Sequence, residues 1–400
     1  MTGAVGVPDM SADAATNQSA MRAAAAGDFH GAQAMLLRVV GRDGRNISAW
    51  LNLAGVRRQL ADIDGAFAAL QAVLLIDPRN FPALLMHGSL LEHLGRMRAA
   101  AAAYGIALAQ APPDPVLDPA TRQAVARARA IRARHTAELD GFIRARAADA
   151  TGQCSSVERR RLEAFIGTTL RSRPRYQQEP LEYYYPGLAP IPFYERDEFP
   201  WLAGFEAATG AIRAELEQIV RDDPAGFTPY IHYDPHQPLD QWRELNHSPR
   251  WTAFEFYLGG QAIEERCRRA PQTMQAVALL PQPKVRGRSP CAMYSCLRPR
   301  TRIPPHTGVA NFRLVVHLPL ILPPRCGFRV GGEVREWRMG QAWVFDDTIE
   351  HEAWNESDET RIILICDIWN PRLSPQERVA IDSVIAATDA FNEAGASSEL

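Results

Sequence analysis

This sequence of 400 residues lacks several features that mark other protein classes. Lysine is almost absent, since Lys284 is the only lysine among 44 basic residues. The 46 acidic residues bring the formal net charge to −2, so the chain has no basic excess with which to bind nucleic acid or an anionic membrane. The use of arginine in place of lysine, together with abundant alanine, is typical of proteins from GC-rich bacteria.

Cysteine usage and hydrophobic runs exclude two further classes. The six cysteines include no CxxC pair and form no dense framework, so in a chain of this length they predict reduced thiols rather than disulfides. No run approaches the roughly 20 apolar residues that span a bilayer. The first residues also lack a basic stretch followed by an apolar core, so they do not resemble a signal peptide. We therefore expect a cytoplasmic protein without a membrane partner.

An internal repeat organises the N-terminal third of the chain. A 34-residue period that combines large, small and proline positions resembles the tetratricopeptide (TPR) helix-turn-helix. Small residues let the two helices approach closely, and proline ends the second helix. A weaker copy over residues 13–46 brings the number of units to three, about the minimum for a stable solenoid. An Ala-rich helical bundle without repeats is the alternative. Five positions have a counterpart 34 residues further on: Trp50/Leu84, Ala54/Gly88, Ala66/Ala100, Val73/Ala107 and Pro78/Pro112.

The pattern changes after the repeats, and four segments are predicted. Residues 1–12 are expected to be disordered, 13–150 to form the TPR-like domain, 151–184 to be a helical and then Pro/Tyr-rich connector, and 185–400 to form a second domain. The aromatic residues of the connector predict that it packs on the second domain. From Trp251 onward, short β-branched and aromatic runs between Pro, Gly and Asp turns predict an antiparallel sandwich or barrel.

Two helical segments are expected around this β-rich region. The segment "LAGFEAATGAIRAELEQIV" has the periodicity of one amphipathic helix. The segment "SPQERVAIDSVIAATDAFNEAG" begins with a serine cap and predicts a helix that closes the domain.

Two histidines and an arginine carry the first indication of chemistry. His306 and His351 lie in different short strands beside turns, and a small jelly-roll barrel can bring such strand ends together, where imidazole suits Fe, Zn or Cu. Arg361 lies in the next apolar run, where a buried guanidinium needs an anionic partner. No acidic residue follows within that run until Asp367. We interpret this pattern as a metal with a dicarboxylate co-substrate.

Three segments carry a resemblance to a known family: "YSCLRPRTRIPPHTGVANFRLVVHL", "VFDDTIEHEAWNESDETRIILICDIWNP" and the segment at Trp251. They resemble the aspartyl/asparaginyl β-hydroxylase family of Fe(II)/2-oxoglutarate dioxygenases, and TPR repeats also precede the catalytic domain in that family. The resemblance implies a double-stranded β-helix (jelly-roll or cupin-like) catalytic domain with flanking helices after the all-α TPR solenoid. It also implies Fe(II), 2-oxoglutarate and O2 as cofactor and co-substrates.

The resemblance assigns roles to single residues of this sequence. It places the iron ligands at His306 and His351. It places 2-oxoglutarate contacts at Ser295, His317 and Arg361, with Arg361 on the distal carboxylate. Without the resemblance, His317 in an apolar strand is more often a hydrogen-bonded core histidine than a contact to a co-substrate.

Two positions depart from related patterns. Arg313 matches an arginine near the co-substrate and substrate pocket, but the family's next arginine, two positions on, is Val315 here, which puts specificity for aspartate in doubt. The usual facial triad has a carboxylate two residues after the first histidine. That position is Gly308, as in the family itself, and a water can take the vacant place. A halide there, as in non-haem halogenases, and an inactive site are the alternatives.

Other residues near the motifs keep two interpretations. Trp251 lines the substrate side or packs in the core. Asp346 and Asp347 either orient His351 through hydrogen bonds or close the turn before it. Strand alternation predicts that Cys296 faces away from Ser295.

The sequence thus predicts hydroxylation of an amino-acid side chain, by resemblance at the β-carbon of Asp or Asn, in a peptide or protein recruited by the TPR domain. The alternatives are a hydroxylase of a free amino acid or another small molecule, and a non-catalytic TPR scaffold with a vestigial barrel.

Overall fold

The computed structural model describes residues 10–234 and 236–398, with side chains for 13–234 and 236–392. The predicted disordered segment, 1–12, lies outside the described residues except at its end, where a helix begins at Met10. The chain divides into two compact units, Met1–Leu170 and Arg171–Leu400. In the described part of the chain, no helix combines the length and apolar character needed to cross a membrane.

The first unit is a row of helices, and consecutive helices from the first to the seventh pack on each other. Helices α2, α4 and α6 begin at residues 29, 63 and 97, so each repeat advances by 34 residues (63 − 29 and 97 − 63). The predicted TPR repeat is confirmed by this spacing. The helices are α1 Met10–Ala25, α2 Phe29–Arg42, α3 Ile47–Gln59, α4 Ile63–Ile76, α5 Phe81–His93, α6 Met97–Leu108, α7 Pro119–Gly152 and α8 Ser156–Thr169.

Caps and small residues explain why the repeats form. Asp or Asn stands before four of the helices, and its side chain accepts a hydrogen bond from a backbone N–H of the first turn. Small residues then fill the contacts between helices: Ala54 and Ala66 are buried, and the ring of Tyr104 occupies the space where Gly88 would carry a Cβ atom. The turns thus set the start of each helix, and the small residues set how closely helices pack.

The second unit is built on two antiparallel sheets, as the strand pattern predicts. One sheet has six strands in the order β1-β2-β5-β12-β7-β10, the other has four in the order β6-β11-β8-β9, and β3 and β4 form a separate hairpin. The strands are β1 Thr228–Pro229, β2 Trp251–Glu255, β3 Tyr257–Leu258, β4 Gln261–Ala262, β5 Ala292–Leu297, β6 Thr301–His306, β7 Arg313–Ile321, β8 Cys326–Val330, β9 Glu333–Arg335, β10 Trp343–Phe345, β11 His351–Asn355 and β12 Arg361–Trp369.

Five helices accompany the sheets: α9 Leu202–Ala207, α10 Thr209–Asp222, α11 Glu264–Arg269, α12 Pro271–Val277 and α13 Pro375–Ser398. The predicted closing helix is confirmed by α13. The prediction of one helix from Leu202 was wrong in one respect, because α9 and α10 are separated at Ala208. The Thr209 hydroxyl donates to the Glu206 carbonyl over 2.6 Å, and this local bond competes with helix continuation.

Strand alternation divides the six-stranded sheet into two faces. Leu314, Val316 and Leu318 of β7 pack in one core cluster together with helix α10. Val315 lies instead in the cluster that contains Phe328 and Ala353 of the other sheet. The two sheets therefore enclose a second core between them, and Val315 and His317 of β7 point into it.

The aromatic connector is part of the second unit from residue 171 onward. Its backbone crosses the loop after β6 and the loop before β11: the Leu181 N–H donates to the Gly308 carbonyl over 2.9 Å, and the Glu179 N–H donates to the Thr348 carbonyl over 2.7 Å. The prediction that this segment packs on the β-rich domain is confirmed.

Candidate functional site

The two motif histidines are neighbours in space. Strand β6 ends at His306, strand β11 begins at His351, and the two residues are partners in the antiparallel pairing of these strands. Their ring centroids are 4.0 Å apart. The pairing of two short strands thus joins side chains that are far apart in sequence.

Each imidazole is oriented by a backbone carbonyl. His306 Nδ1 lies 2.8 Å from the Pro304 oxygen, and His351 Nδ1 lies 3.2 Å from the Ile349 oxygen. Because a carbonyl oxygen only accepts, each Nδ1 donates, and Nε2 keeps its lone pair for a ligand. Within the described residues, the Asp346 and Asp347 side chains bond to groups other than His351, which interacts instead with the backbone of Ile349 and of Asp347.

Burial keeps both rings uncharged. Burial and the neighbouring ring lower the pKa of His306 to about 3, and burial lowers the pKa of His351 to about 4. The neutral imidazole is the form that binds a metal ion. The pair fits a metal by ring proximity, by tautomer and by charge.

A third side-chain ligand is not offered in the part of the chain that the structure describes, where no group of three or more His, Cys, Asp and Glu residues is arranged to hold a metal ion. A Cβ atom on Gly308 would collide with the carboxylate of Asp347. Asp347 in turn pairs with Arg313, Nη2 to Oδ2 at 3.2 Å. A carboxylate side chain at position 308 would therefore displace this ion pair.

Arg361 is a buried cation that lacks an anion. Arg361 is 1% exposed, and its Nε and Nη1 atoms have no hydrogen-bond partner among the described residues. The ring of Trp337 lies 5.1 Å from the guanidinium carbon. Burial lowers the pKa of Arg361 to about 10. Since an unpaired buried charge is strongly unfavourable, this arrangement fits an anionic ligand that completes it.

Further polar groups converge on the same interior. His317 has an unpaired buried Nδ1, and burial, Arg361 and His351 lower its pKa well below the ordinary value. Trp251 Nε1 donates to Ser295 Oγ over 3.1 Å, which leaves the serine O–H to donate elsewhere. These groups fit the carboxylates of a small dicarboxylate beside the histidine pair. Cys296 packs in the other core, as alternation predicts.

Tyr230 and Trp242, which the sequence did not single out, lie beside the candidate residue Trp251, whose ring is 6.4 Å from that of His306. The Tyr230 and Trp251 rings are 4.4 Å apart, and the Trp242 ring lies 5.1 Å from His306. Trp242 comes from a loop whose ends are tied by the His247 N–H donating to the Ile231 carbonyl over 2.8 Å. A large aromatic residue inside a Pro/Asp-rich loop was the sequence feature that could have indicated a contact of this loop with the site.

Comparisons with known proteins agree with this geometry. The family model described as aspartyl/asparaginyl beta-hydroxylase matches residues 206–371. The ornithine lipid ester-linked acyl 2-hydroxylase of Rhizobium tropici is 35% identical over 202 residues, which are 49% of this chain and 67% of that protein. This chain belongs to the aspartyl/asparaginyl β-hydroxylase family.

Other relatives are matched over smaller shares of their length. Human aspartyl/asparaginyl beta-hydroxylase is 33% identical over 147 residues, 36% of this chain but 19% of the human protein. Aspartate beta-hydroxylase domain-containing protein 2 of Xenopus tropicalis is 30% identical over 226 residues, 55% of this chain and 58% of that protein. Among solved structures, the TPR domain of Arabidopsis OM64 is 24% identical with a TM-score of 0.26, covering 30% of this chain and 96% of that one.

Proposed function

We propose that this member of the β-hydroxylase family is an Fe(II)- and 2-oxoglutarate-dependent hydroxylase of an amino-acid side chain. The observation that carries the proposal is Arg361, a buried guanidinium without an anion in the same core as two neutral, adjacent imidazoles. A dicarboxylate that also chelates a metal satisfies both requirements at once. The balanced reaction converts R–H, O2 and 2-oxoglutarate into R–OH, succinate and CO2.

The protein's part in this reaction is binding and orientation. His306 and His351 would hold the iron through Nε2, while each Nδ1 keeps its proton and donates a hydrogen bond, to the Pro304 carbonyl and the Ile349 carbonyl respectively. Bound Fe(II) would supply the activation of O2 that is coupled to oxidation of the co-substrate. Arg361 would pair with the distal carboxylate of 2-oxoglutarate.

Two further groups would fix the co-substrate. The Ser295 hydroxyl and the buried ring of His317 supply polar contacts from neighbouring strands. Aromatic walls from Trp242 and Trp251 would limit access of water to the reacting carbon.

A direct test is anaerobic binding of Fe(II) and 2-oxoglutarate, followed by oxygen-dependent succinate formation with peptide and amino-acid libraries. We expect His306→Ala to lose metal binding and Arg361→Met to lose 2-oxoglutarate binding. Arg338→Met replaces an exposed arginine and serves as the matched control. Normal turnover by the His306 and Arg361 variants would contradict the assignment.

For the substrate, we propose a peptide or protein recruited by the TPR unit, since helical repeats present extended surfaces for peptides. A small-molecule substrate is the second candidate, favoured by the similarity to an enzyme named for hydroxylating a lipid-linked acyl chain. Removing residues 1–170, the first compact unit, distinguishes them: peptide hydroxylation falls while a small substrate is still turned over. Absence of succinate in every arm would favour the non-catalytic scaffold. A cytoplasmic location remains part of this proposal.

A further inference from the structure

The charge of Arg313 is already balanced inside the protein. Its guanidinium pairs with Asp347, and both side chains are largely buried, 17% and 9% exposed. Burial opposes its charged form, yet the carboxylates of Asp347 and Asp367 outweigh burial and raise the pKa of Arg313. Two carboxylates therefore act on one cation. Asp347 Oδ1 is in addition buried without a hydrogen-bond partner among the described residues, which adds negative character beside Gly308.

Other nearby arginines are also committed. Arg329, like Arg313, lowers the pKa of His351 through its positive charge. Its guanidinium donates to Glu350 over 2.8 Å and to Glu352 over 2.6 Å. Arg361 is required for the co-substrate under the proposed function. Within the described residues, none of these arginines is left to hold a second anion beside the histidine pair.

The next inward position on β7 is apolar. Val315 is 6% exposed, pairs in register with Phe345 and Asp367, and belongs to the core between the sheets. The rings of Tyr230 and Trp242 pack against the same core cluster. The Trp242 ring lies 5.1 Å from His306, and the ring of Phe345, the register partner of Val315, lies 5.6 Å from His351, so the interior beside the histidine pair is largely apolar on this side. A carboxylate brought here would lose its hydration without gaining a cation.

We propose that the group presented to His306 and His351 is an uncharged side chain, amide or aliphatic, and that a carboxylate side chain is rejected. Val315 and the Arg313–Asp347 pair are the specificity determinants. This inference rests on the proposed function and names its substrate class.

The test uses the full chain with Fe(II), 2-oxoglutarate and O2, and three peptide pools with randomised flanks and a fixed central Asp, Asn or Leu. Mass spectrometry measures the gain of one oxygen. We expect the Asn or Leu pool to be hydroxylated at least about tenfold faster than the Asp pool, because discrimination comes from the unpaired charge. Retention of the pools on the Zn(II)- and 2-oxoglutarate-loaded protein measures the same preference without turnover.

Three variants test whether charge is the cause of this preference. Val315→Arg supplies a cation and should raise the Asp-to-Asn ratio about tenfold or more, whereas Val315→Met adds bulk without charge and should leave it unchanged. Asp347→Asn removes one of the two carboxylates that act on Arg313 and adds no volume, so it should shift the ratio in the same direction if Val315→Arg prevents folding.

The outcomes separate this inference from the proposed function. A wild-type preference for the Asp pool, in turnover or retention, overturns the inference, and so does an equal ratio in Val315→Arg and Val315→Met. If none of the peptide pools is hydroxylated but a neutral acyl amide is, the preference for an uncharged group is supported and the proposal of a peptide substrate is contradicted. If the wild-type protein does not bind 2-oxoglutarate, or if Arg361→Met binds it equally well, the proposed function itself is contradicted.

Discussion

At the scale of single residues, Arg361 destabilises the ligand-free protein and provides the binding site for an anion. Because its guanidinium is buried with two unpaired nitrogens, we expect Arg361→Met to raise the free energy of unfolding of the ligand-free protein by about 1–3 kcal/mol. The same change should weaken 2-oxoglutarate binding at least about a hundredfold. Urea unfolding and 2-oxoglutarate titration measure the two effects. Strong destabilisation by Arg361→Met would show that the arginine is satisfied within the protein.

The histidine pair has a residue-scale consequence for pH. With pKa values of about 3 for His306 and about 4 for His351, both rings stay neutral well below pH 6.5. Protons therefore compete little with a metal at pH 5.5, whereas two ordinary histidines would weaken binding about a hundredfold there. Co(II) titration at pH 7.5 and 5.5 should give dissociation constants within about threefold, and a hundredfold loss at pH 5.5 would contradict the assignment.

The same shifts have a defined sign for stability. Because the folded pKa values lie below the unfolded value, the unfolded chain binds more protons in this range. The contribution of the pair to stability is therefore complete above about pH 6.5 and is lost as the pH falls through the folded pKa values of about 4 for His351 and about 3 for His306.

At the scale of elements, two helix glycines in the repeats differ in surroundings. Gly88 of α5 faces the ring of Tyr104, while a Cβ atom on Gly55 of α3 would meet no atom within 4 Å. Gly55→Ala should stabilise the first unit by about 0.5–1 kcal/mol through lower backbone entropy of the unfolded chain. Gly88→Ala should destabilise it by about 1–3 kcal/mol because the added methyl overpacks the helix contact. Hydrogen exchange of α5 and α6 in the full chain measures both changes, and equal effects would argue against the close approach.

The elements of the fold were not equally predictable from the sequence. The period from Trp50 to Leu84 predicted the helices because a TPR contact is local, and alternation around Ser295 predicted which side each strand residue faces. The close approach of His306 and His351 needed the family resemblance, since strand pairing across 45 positions (351 − 306) has no local signal. The break at Ala208 was missed because a single side-chain hydrogen bond decided it.

The interior around the site was the least predictable part. The contact between Gly308 and the Asp347 carboxylate depends on how two loops cross, and neither loop has a periodic pattern. The position of Trp242 beside His306 also depends on a loop of irregular backbone. The residue types in these loops indicated a site, but they could not indicate that Asp347 pairs with Arg313 and leaves Arg361 without an anion among the described residues.

At the scale of the whole molecule, the described core clusters are each confined to one compact unit. Two clusters lie within the helical repeats, and three lie within the β-rich unit. Units with separate cores unfold as separate cooperative transitions. Ligands of the proposed site bind the second unit, since Arg361 and both histidines belong to it.

We therefore expect thermal unfolding of the full chain to show two transitions, and only one of them to respond to the site's ligands. Mn(II) with 2-oxoglutarate at about 100 times its dissociation constant should stabilise the second unit by about 2.7 kcal/mol, because the ligands bind only the folded form. Gly88→Ala should lower the other transition and leave the ligand-dependent shift unchanged, and Arg361→Met should abolish the shift. Calorimetry with and without ligands makes the measurement. A single transition would mean that the two units unfold as one, and a ligand-dependent shift of both transitions would contradict their independence.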